Sequence, residues 1–178
     1  MWLIMSIVWS PAQWVLGEVT NIQSRTQIQR PTVQLTDGDK VVKEVTTNVP
    51  DLVNVTGSLT AHKDATISVR YRRGQQFKGD AALTWTVNGE KGEAKLTAWD
   101  GASLNAGGYG GKGVTVEVHD FATDTIKNYE WKWEDWQEEL PIVARNIART
   151  YDAFALGEGV PTFEEALRRH EQIEAILQ

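Results

Sequence analysis

The sequence predicts an α+β fold in which an open antiparallel β-sheet carries helices packed on one face. Several segments alternate apolar and polar residues with a period of two, which is typical of half-buried strands. Short turns rich in glycine and aspartate separate neighbouring segments, and such turns suit antiparallel pairing. Longer segments with helical periodicity stand near the two ends of the chain, where they can cover one face of the sheet.

Length, charge and cysteine content limit the class of protein. A chain of 178 residues, 41% of them hydrophobic, is long enough to bury a core, and we expect a single domain over residues 1–178. A net charge of −6 disfavours nucleic acid and anionic membrane surfaces as partners, because both attract basic proteins. The sequence has no cysteine, which excludes disulfides and thiol catalysis. Because residues 1–9 also lack signal-peptide features, we expect a cytoplasmic location.

The first half of the chain is predicted to be one helix followed by strands. Gly17 ends the helix, and the pair Asp37-Gly38 marks a tight turn. The predicted elements are a helix to Leu16, an extended segment over 18–30, a hairpin over 31–50, and strands over 52–60 and 65–72.

The second half centres on a hairpin from Leu83 to Thr97, whose turn contains Gly89 and Gly92. Residues 100–113 include six glycines and are expected to form a flexible loop, in the manner of a lid over a pocket. The remaining predicted elements are strands over 114–119 and 126–133, a helix over 138–156, and a helix that begins with a capping box at Thr162 and Glu165.

Five segments carry a family resemblance: Ile28–Val33, Asn88–Glu93, His119–Thr125, Pro141–Arg149 and Pro161–His170. In this order they resemble the C-terminal domain of the Gfo/Idh/MocA oxidoreductases, in particular the branch of the fungal galactose/lactose regulatory proteins. The resemblance implies a fungal substrate or oligomerisation domain that follows an NAD(P)-binding domain. The chain shows neither that domain's glycine motif in its strand–helix context nor its Glu-Lys-Pro triplet. We therefore expect no cofactor and transfer no catalytic residue from the family.

One face of the predicted sheet is polar along most of its strands. Members of this face include Gln23, Arg25, Asn54, Arg70 and Thr86. Antiparallel sheets tolerate such a solvated face. In the family that the chain resembles, this face commonly serves as a subunit interface, so the resemblance implies a homodimer through it.

Three residues are candidates for catalysis. His119 ends a strand beside Asp120 and has the best position for acid–base chemistry among the three histidines, although a structural role is the alternative. Tyr71 and Tyr109 supply phenol donors. The histidines are far apart in sequence and cysteine is absent, so we expect no metal site.

Eight tryptophans are the strongest deviation in composition. Tryptophan buries a large apolar area and offers one N–H donor, which suits the wall of an apolar pocket as well as a core or a subunit interface. The residues expected to bind a small apolar molecule are Trp9, Trp14, Trp85, Trp99, Tyr71 and Tyr109.

Three functions are compatible with these patterns. The first is a cofactor-independent enzyme, a cyclase or pericyclase of the Diels–Alder type or an isomerase, which acts on an apolar natural product of secondary metabolism by preorganisation. The second is a non-catalytic regulatory module that binds a sugar or a partner protein through the polar sheet face. The third is a remnant or split half of an NAD(P)-dependent oxidoreductase. A tryptophan-lined cavity favours the first, a filled interior beneath a polar face the second, and a bare apolar surface near the first helix the third.

Overall fold

The computed structural model describes residues 2–99, 101, 113–130 and 132–178, with side chains from residue 9 onward in these ranges. It confirms the predicted α+β class with open antiparallel sheets. The strands are divided among three sheets, and the chain forms two compact units. Unit 1 comprises Met1–Gln75 and Thr162–Gln178, and unit 2 comprises Gln76–Pro161. A single domain over residues 1–178 stays a prediction.

The bounds of the elements follow the sequence patterns closely in the first half of the chain. The helices are α1 (Trp2–Leu16), α2 (Asp135–Glu138), α3 (Ile142–Leu156) and α4 (Phe163–Leu177). The strands are β1 (Val19–Gln27), β2 (Thr32–Asp37), β3 (Lys40–Thr46), β4 (Leu52–Leu59), β5 (Thr66–Arg72), β6 (Leu83–Asn88), β7 (Gly92–Ala98), β8 (Val114–Asp120) and β9 (Thr125–Asn128). Residues 100 and 102–112, most of the predicted glycine-rich loop, lie outside the described residues.

Unit 1 is built on an antiparallel sheet of order β1-β4-β5, with the hairpin β2-β3 as a separate ribbon. Alternation along β4 buries Val53 and Val55, while Asn54 between them is exposed. The buried face meets α4 through Ile173 and Ile176, both about 1% exposed or less. Helix packing on one face and a polar opposite face therefore agree with the sequence pattern.

Two glutamines join α1, α4 and β1 in the buried interior of unit 1. The side chain of Gln13 is only 3% exposed, and its Nε2 donates to Oε1 of Gln172 at 2.8 Å. Oε1 of Gln13 accepts the backbone N–H of Val19 at 2.9 Å. The Nε2 of Gln172 donates to the backbone carbonyl of Val19 at 3.3 Å. The indole N–H of Trp9 donates to Gln172 Oε1 at 3.0 Å. Because these polar groups satisfy one another, their burial carries no desolvation penalty from unmade hydrogen bonds.

An ion pair closes the edge of the same contact. The guanidinium of Arg169 donates to both carboxylate oxygens of Glu18, at 2.6 and 2.7 Å. This bidentate hydrogen bond from Arg169 lowers the pKa of Glu18 below its ordinary value of 4.5, against the opposing effect of burial. The pair ties α4 to the start of β1.

Unit 2 is an antiparallel meander of order β6-β7-β8-β9. The predicted central hairpin is confirmed, and its register places Trp85 opposite Leu96, which in turn lies opposite Val116. Lys95 and Glu117 form an ion pair of 2.8 Å on the other face. Helices α2 and α3 contact each other within this unit.

Three local predictions differ from the structure. Strand β9 ends at Asn128, earlier than expected. Pro141 has no N–H to continue a helix, so the helix predicted over 138–156 begins only at Ile142, as α3. The short helix α2, over Asp135–Glu138, was not predicted. The helical period of the last helix predicts that His170 lies on its apolar face with Ile173, but in α4 Arg169 and Gln172 point toward α1 and β1, while His170 is exposed. The polar partners on α1 and β1 decide that orientation, and an apolar stripe alone does not reveal them.

No helix in the described part of the chain is long and apolar enough to span a membrane.

The core position of Trp9 gives a direct test of its structural role. Trp9 is 0% exposed, whereas Trp14 on the same helix is 66% exposed. Trp9→Ala removes a large buried side chain and its hydrogen bond, and we expect it to lower the free energy of unfolding by about 4 kcal/mol. Trp14→Ala should change it by less than about 0.5 kcal/mol. Urea denaturation followed by circular dichroism measures both, and equal effects would contradict the assignment.

The Glu18–Arg169 pair predicts a pH dependence of stability. Because folding lowers the pKa of Glu18, its contribution is complete above pH 4.5 and is lost as the pH falls through the lower folded-state value. The Glu18 side chain is 40% exposed, so solvent screens the pair and we expect Glu18→Gln to cost about 1 kcal/mol at pH 7. The variant should lose less stability than the wild type on acidification below pH 4.5. If urea denaturation showed the same loss of stability for the wild type and the variant below pH 4.5, the role of this pair would be refuted.

Candidate functional site

His119, the histidine preferred for acid–base chemistry, lies at the end of β8 and is paired with a carboxylate. Its Nε2 is 2.9 Å from Oδ1 of Asp124, and the two side chains are 36% and 93% exposed. The ring of Phe121 meets the imidazole edge-on, with 5.2 Å between centroids. An imidazole oriented by a carboxylate is a competent proton acceptor or donor.

The β8–β9 turn holds this pair in place. The carboxylate of Asp120 accepts the backbone N–H groups of Ala122 and Thr123 at 2.9 and 3.2 Å. Asp124 adopts the left-handed backbone conformation, with φ of 51°, that aspartate tolerates in turns. The structure therefore brings His119 together with Asp124, whereas Asp120, its neighbour in sequence, caps the turn.

A depression of about 620 Å³ lies at this end of the β6-β7-β8-β9 sheet of unit 2. Its apolar lining residues are Val87, Ala94 and Val118, and its rim is the 89–93 turn together with His119 and Asp120. The depression is open to solvent and contains none of the predicted aromatic residues. Among the described residues, no cluster of three or more histidine or carboxylate side chains is placed to hold a metal ion.

The predicted aromatic residues of unit 1 occupy different environments. Trp9 is buried, and its N–H is committed to Gln172. Trp14 is mostly exposed, as is the adjacent Val15 at 63%. Tyr71 is half-buried on β5, and burial raises the pKa of its phenol. The smaller effects of Arg73 and Arg30 lower this pKa, and that of Asp51 raises it. Its hydroxyl is thus protonated at neutral pH and can donate a hydrogen bond, but it does not serve as a base.

The other predicted aromatic residues belong to unit 2 or to the undescribed part. Trp85 is half-buried in the middle of β6, on the face it shares with Leu96. Trp99 is half-buried, and its carbonyl accepts the side-chain amide of Gln76 at 3.2 Å. Tyr109 lies outside the described residues. The role of all six aromatic residues in substrate binding stays a prediction.

The solvated face of the β1-β4-β5 sheet is a second candidate site, and we call it the arginine face. Its arginines are Arg25, Arg70 and Arg72, all exposed. Arg25 lies opposite Asn54, which lies opposite Arg70, so the two arginines flank one asparagine about 10 Å apart across three strands. Strands β1, β4 and β5 contain no aspartate or glutamate. The side chains of Arg25 and Arg70 make no ion pair among the described residues, so their guanidinium groups can meet an external acceptor.

Arg30, beside this face, is by contrast already occupied. Its Nε lies 3.0 Å from Asp51 Oδ2, and its guanidinium also donates to the Arg73 carbonyl. Asp51 further accepts the backbone N–H of Gln29 at 2.7 Å. This backbone hydrogen bond, together with the Arg30 guanidinium, lowers the pKa of Asp51. Arg30 therefore fixes the chain between β1 and β2.

The alternation of residues along β1, β4 and β5 was sufficient to predict the arginine face, because successive side chains of a strand point to opposite faces of the sheet. The His119–Asp124 pair had no such signal, since it depends on the left-handed residue that closes the turn. The buried Gln13–Gln172 contact joins residues from opposite ends of the chain, and no local pattern marks it.

Comparisons with known proteins agree with this architecture. The family model described as Gal80p, C-terminal domain, matches residues 8–98. The structure resembles the transcriptional regulator Gal80p of Kluyveromyces lactis, with a TM-score of 0.70 and 20% identity over 93% of this chain and 40% of that one. It also resembles a super-repressor mutant of Gal80p of Saccharomyces cerevisiae, with a TM-score of 0.67 and 19% identity over 89% of this chain and 42% of that one.

A third similar structure is an oxidoreductase of Agrobacterium radiobacter in complex with NAD+, L-tartaric acid and magnesium. Its TM-score is 0.60, with 16% identity over 97% of this chain and 43% of that one. No protein in the comparison with curated sequences matches the chain. The chain thus spans about two fifths of the length of these solved proteins.

The antiparallel sheets and flanking helices define an α+β domain of the fold that these solved structures share. Within that class, the chain belongs to the family of Gal80p C-terminal-like domains.

The turn beside His119 gives a test with a matched control. A Cβ at Gly92 would overlap the carbonyl oxygen of His119, whereas at Gly89 the nearest atom would be 3.4 Å away. We expect Gly92→Ala to destabilise the protein by about 2 kcal/mol and to shift the NMR resonances of His119. Gly89→Ala should leave both nearly unchanged. The assigned turn geometry is wrong if the two variants behave alike.

Proposed function

We propose that this domain is a non-catalytic regulatory module that binds a carboxylate-bearing partner protein through the arginine face. The observation that carries the proposal is the combination of a filled interior with an open face that has guanidinium groups and no carboxylate. Arg25 and Arg70 are exposed on that face, and guanidinium groups recognise carboxylates bidentately. Asn54 between the two arginines and the neighbouring Thr56 on the same strand are exposed and add hydrogen-bond partners.

The packing of the interior of unit 1 favours a binding site on the surface of this unit. Trp9 and Gln13 are buried, and their polar groups bond within the chain. Two of the structurally similar proteins are also regulators, namely the transcriptional regulator Gal80p of Kluyveromyces lactis and a super-repressor mutant of Gal80p of Saccharomyces cerevisiae. Regulation through a bound protein is therefore the function that fold and surface both support.

The cofactor-independent cyclase or isomerase expected from the sequence has less support. That activity requires an apolar cavity walled by aromatic side chains. The depression at the end of the β6-β7-β8-β9 sheet is lined by Val87, Ala94 and Val118 beside a polar rim, and by none of the predicted tryptophans. His119, which pairs with Asp124, is one residue lining this depression that can transfer a proton.

A split half of an oxidoreductase is the alternative with an observation in its favour. Trp14 and Val15 expose apolar surface at the end of the first helix, which is the feature expected where another domain docks. The Agrobacterium radiobacter relative carries NAD+ in a protein more than twice as long as the match. Binding of NAD(P)H to the isolated chain would favour this alternative.

The predicted homodimer through the polar sheet face stays a proposal as well. Face-to-face packing of two copies brings arginines of both together with no strand carboxylate to pair them. Like charges in close contact oppose such packing. A carboxylate-bearing partner meets no such repulsion.

A titration tests the proposed binding function. We expect a polyglutamate peptide to shift the NMR resonances of Asn54 and Ser68 on the arginine face of the full chain. The double variant Arg25→Gln/Arg70→Gln should weaken binding about tenfold, because two guanidinium–carboxylate contacts are lost. Arg149→Gln, an exposed arginine of unit 2 at 50%, is the matched control and should bind as the wild type does.

Two outcomes would overturn the proposal. The first is an unchanged affinity of the double variant, which would show that the arginines do not contact the peptide. The second is retention of a small apolar ligand in native mass spectrometry of the purified chain, which would restore the enzyme hypothesis.

A further inference from the structure

Strand β5 forms an open edge of the β1-β4-β5 sheet. It is seven residues long, contains no proline, and pairs with β4 without a register shift. Within the part of the chain that the structure describes, no strand pairs with its other side. Proteins commonly protect such an edge with a bulge, a proline or a covering element, so an open and regular edge is a place where another strand can add.

The opposite edge of the same sheet is protected. In β1 the register shifts between Thr20 and Gln23, and Asn21 adopts the left-handed conformation with φ of 51°. Helix α4 also packs against β1, where the hydroxyl of Ser24 donates to the backbone carbonyl of Ile176 at 2.8 Å. A bulge and a covering helix both interfere with the pairing of a further strand. Strand addition to this sheet is therefore favoured at β5.

Two hydrogen bonds at the ends of the β4–β5 ladder show which residues of β5 have main-chain groups on the open side. The N–H of Leu59 donates to the carbonyl of Ala65 at 2.9 Å, and the N–H of Arg73 donates to the carbonyl of Asp51 at 2.7 Å. Because hydrogen-bonded and non-hydrogen-bonded pairs alternate along antiparallel strands, the odd-numbered residues of β5 bond to β4. The main-chain groups on the open side belong to the even-numbered residues, Thr66, Ser68, Arg70 and Arg72.

The even-numbered residues of β5 also carry side chains of the arginine face, and all of them are exposed. The guanidinium of Arg72 donates one hydrogen bond to the carbonyl of Gln75 and retains further N–H groups. On the other face of β5, Val69 and Tyr71 are half-buried. A strand added at this edge would set alternate side chains beside Arg70 and Arg72, and the intervening ones beside Val69 and Tyr71. The complementary segment therefore alternates acidic and apolar residues.

We propose that the partner of the arginine face binds as an added strand, antiparallel to β5, through a segment in which carboxylate and apolar side chains alternate. This proposal rests on the binding function proposed above and specifies the conformation and the sequence pattern of the partner. Main-chain hydrogen bonds to β5 provide affinity for an extended segment, while the arginines select carboxylates on one side of it. The antiparallel direction follows that of β1, β4 and β5 and gives the more stable ladder.

A blocked seven-residue peptide in which glutamate and valine alternate, as long as β5, tests the proposal in an NMR titration of the full chain. In the proposed register the main-chain N–H groups of its glutamates donate to β5, whereas those of its valines point away. N-methylation of the two central glutamates should weaken binding at least about tenfold, because two hydrogen bonds are lost. N-methylation of two valines is the matched control and should leave the affinity unchanged. Equal affinities of the two modified peptides would overturn the proposal.

A variant of the chain tests the same contact from the side of the protein. Ser68→Pro removes a main-chain N–H on the open side of β5, where proline is tolerated because no hydrogen bond to β4 is lost. We expect it to weaken binding of the unmodified peptide about tenfold. Ser68→Ala keeps the N–H and should bind as the wild type does. Circular dichroism shows whether each variant is folded, and the modified peptides test the contact independently of both.

The outcomes separate strand addition from the binding function of the arginine face. If Arg25→Gln/Arg70→Gln weakens binding while Ser68→Pro and N-methylation of the glutamates do not, the arginine face binds carboxylates without strand addition, and the present proposal is wrong. If Ser68→Pro and N-methylation weaken binding while the double arginine variant does not, strand addition is supported, and the selection of carboxylates by the arginine face is wrong.

Discussion

The structure of unit 1 depends on the mutual satisfaction of polar groups that the helices bury against β1. Gln13 and Gln172 come from α1 and α4, and both reach the backbone of Val19. A buried amide without a partner costs more than an ordinary hydrogen bond contributes, so the two helices and the strand must be placed together. Trp9 completes the cluster with its indole N–H, which turns a large apolar side chain into a fixed part of the same network. The outer face of the sheet is then left exposed to solvent.

Local patterns were sufficient to predict much of the fold. The Asp37-Gly38 turn encodes its hairpin directly, because Gly38 adopts a left-handed backbone conformation that few other residues tolerate. The hairpin around Gly89 and Gly92 was predicted from the alternation of its strands, and neither glycine adopts that conformation. The capping box of Thr162 and Glu165 likewise fixed the start of α4. These features need only neighbours in sequence, and the structure reproduces them.

Features that depend on distant partners could not be predicted in the same way. Trp9 and Trp14 are five residues apart and therefore project about 140° from each other, yet composition alone treats both as candidate pocket residues. Their separation into core and surface follows from Gln172, which lies at the other end of the chain. The His119–Asp124 pair similarly requires a left-handed residue in a turn, and the sequence pointed instead to Asp120.

The arginine face also has a consequence for the rate at which a partner arrives. The chain as a whole carries a net charge of −6, while the only charged side chains of strands β1, β4 and β5 are arginines. An acidic partner would therefore be attracted at this face, which would orient it before contact. Such steering increases the association rate constant more than it slows dissociation, and it weakens steeply as ionic strength shortens the Debye length. A complex formed this way would exchange quickly, as the proposed regulatory function requires.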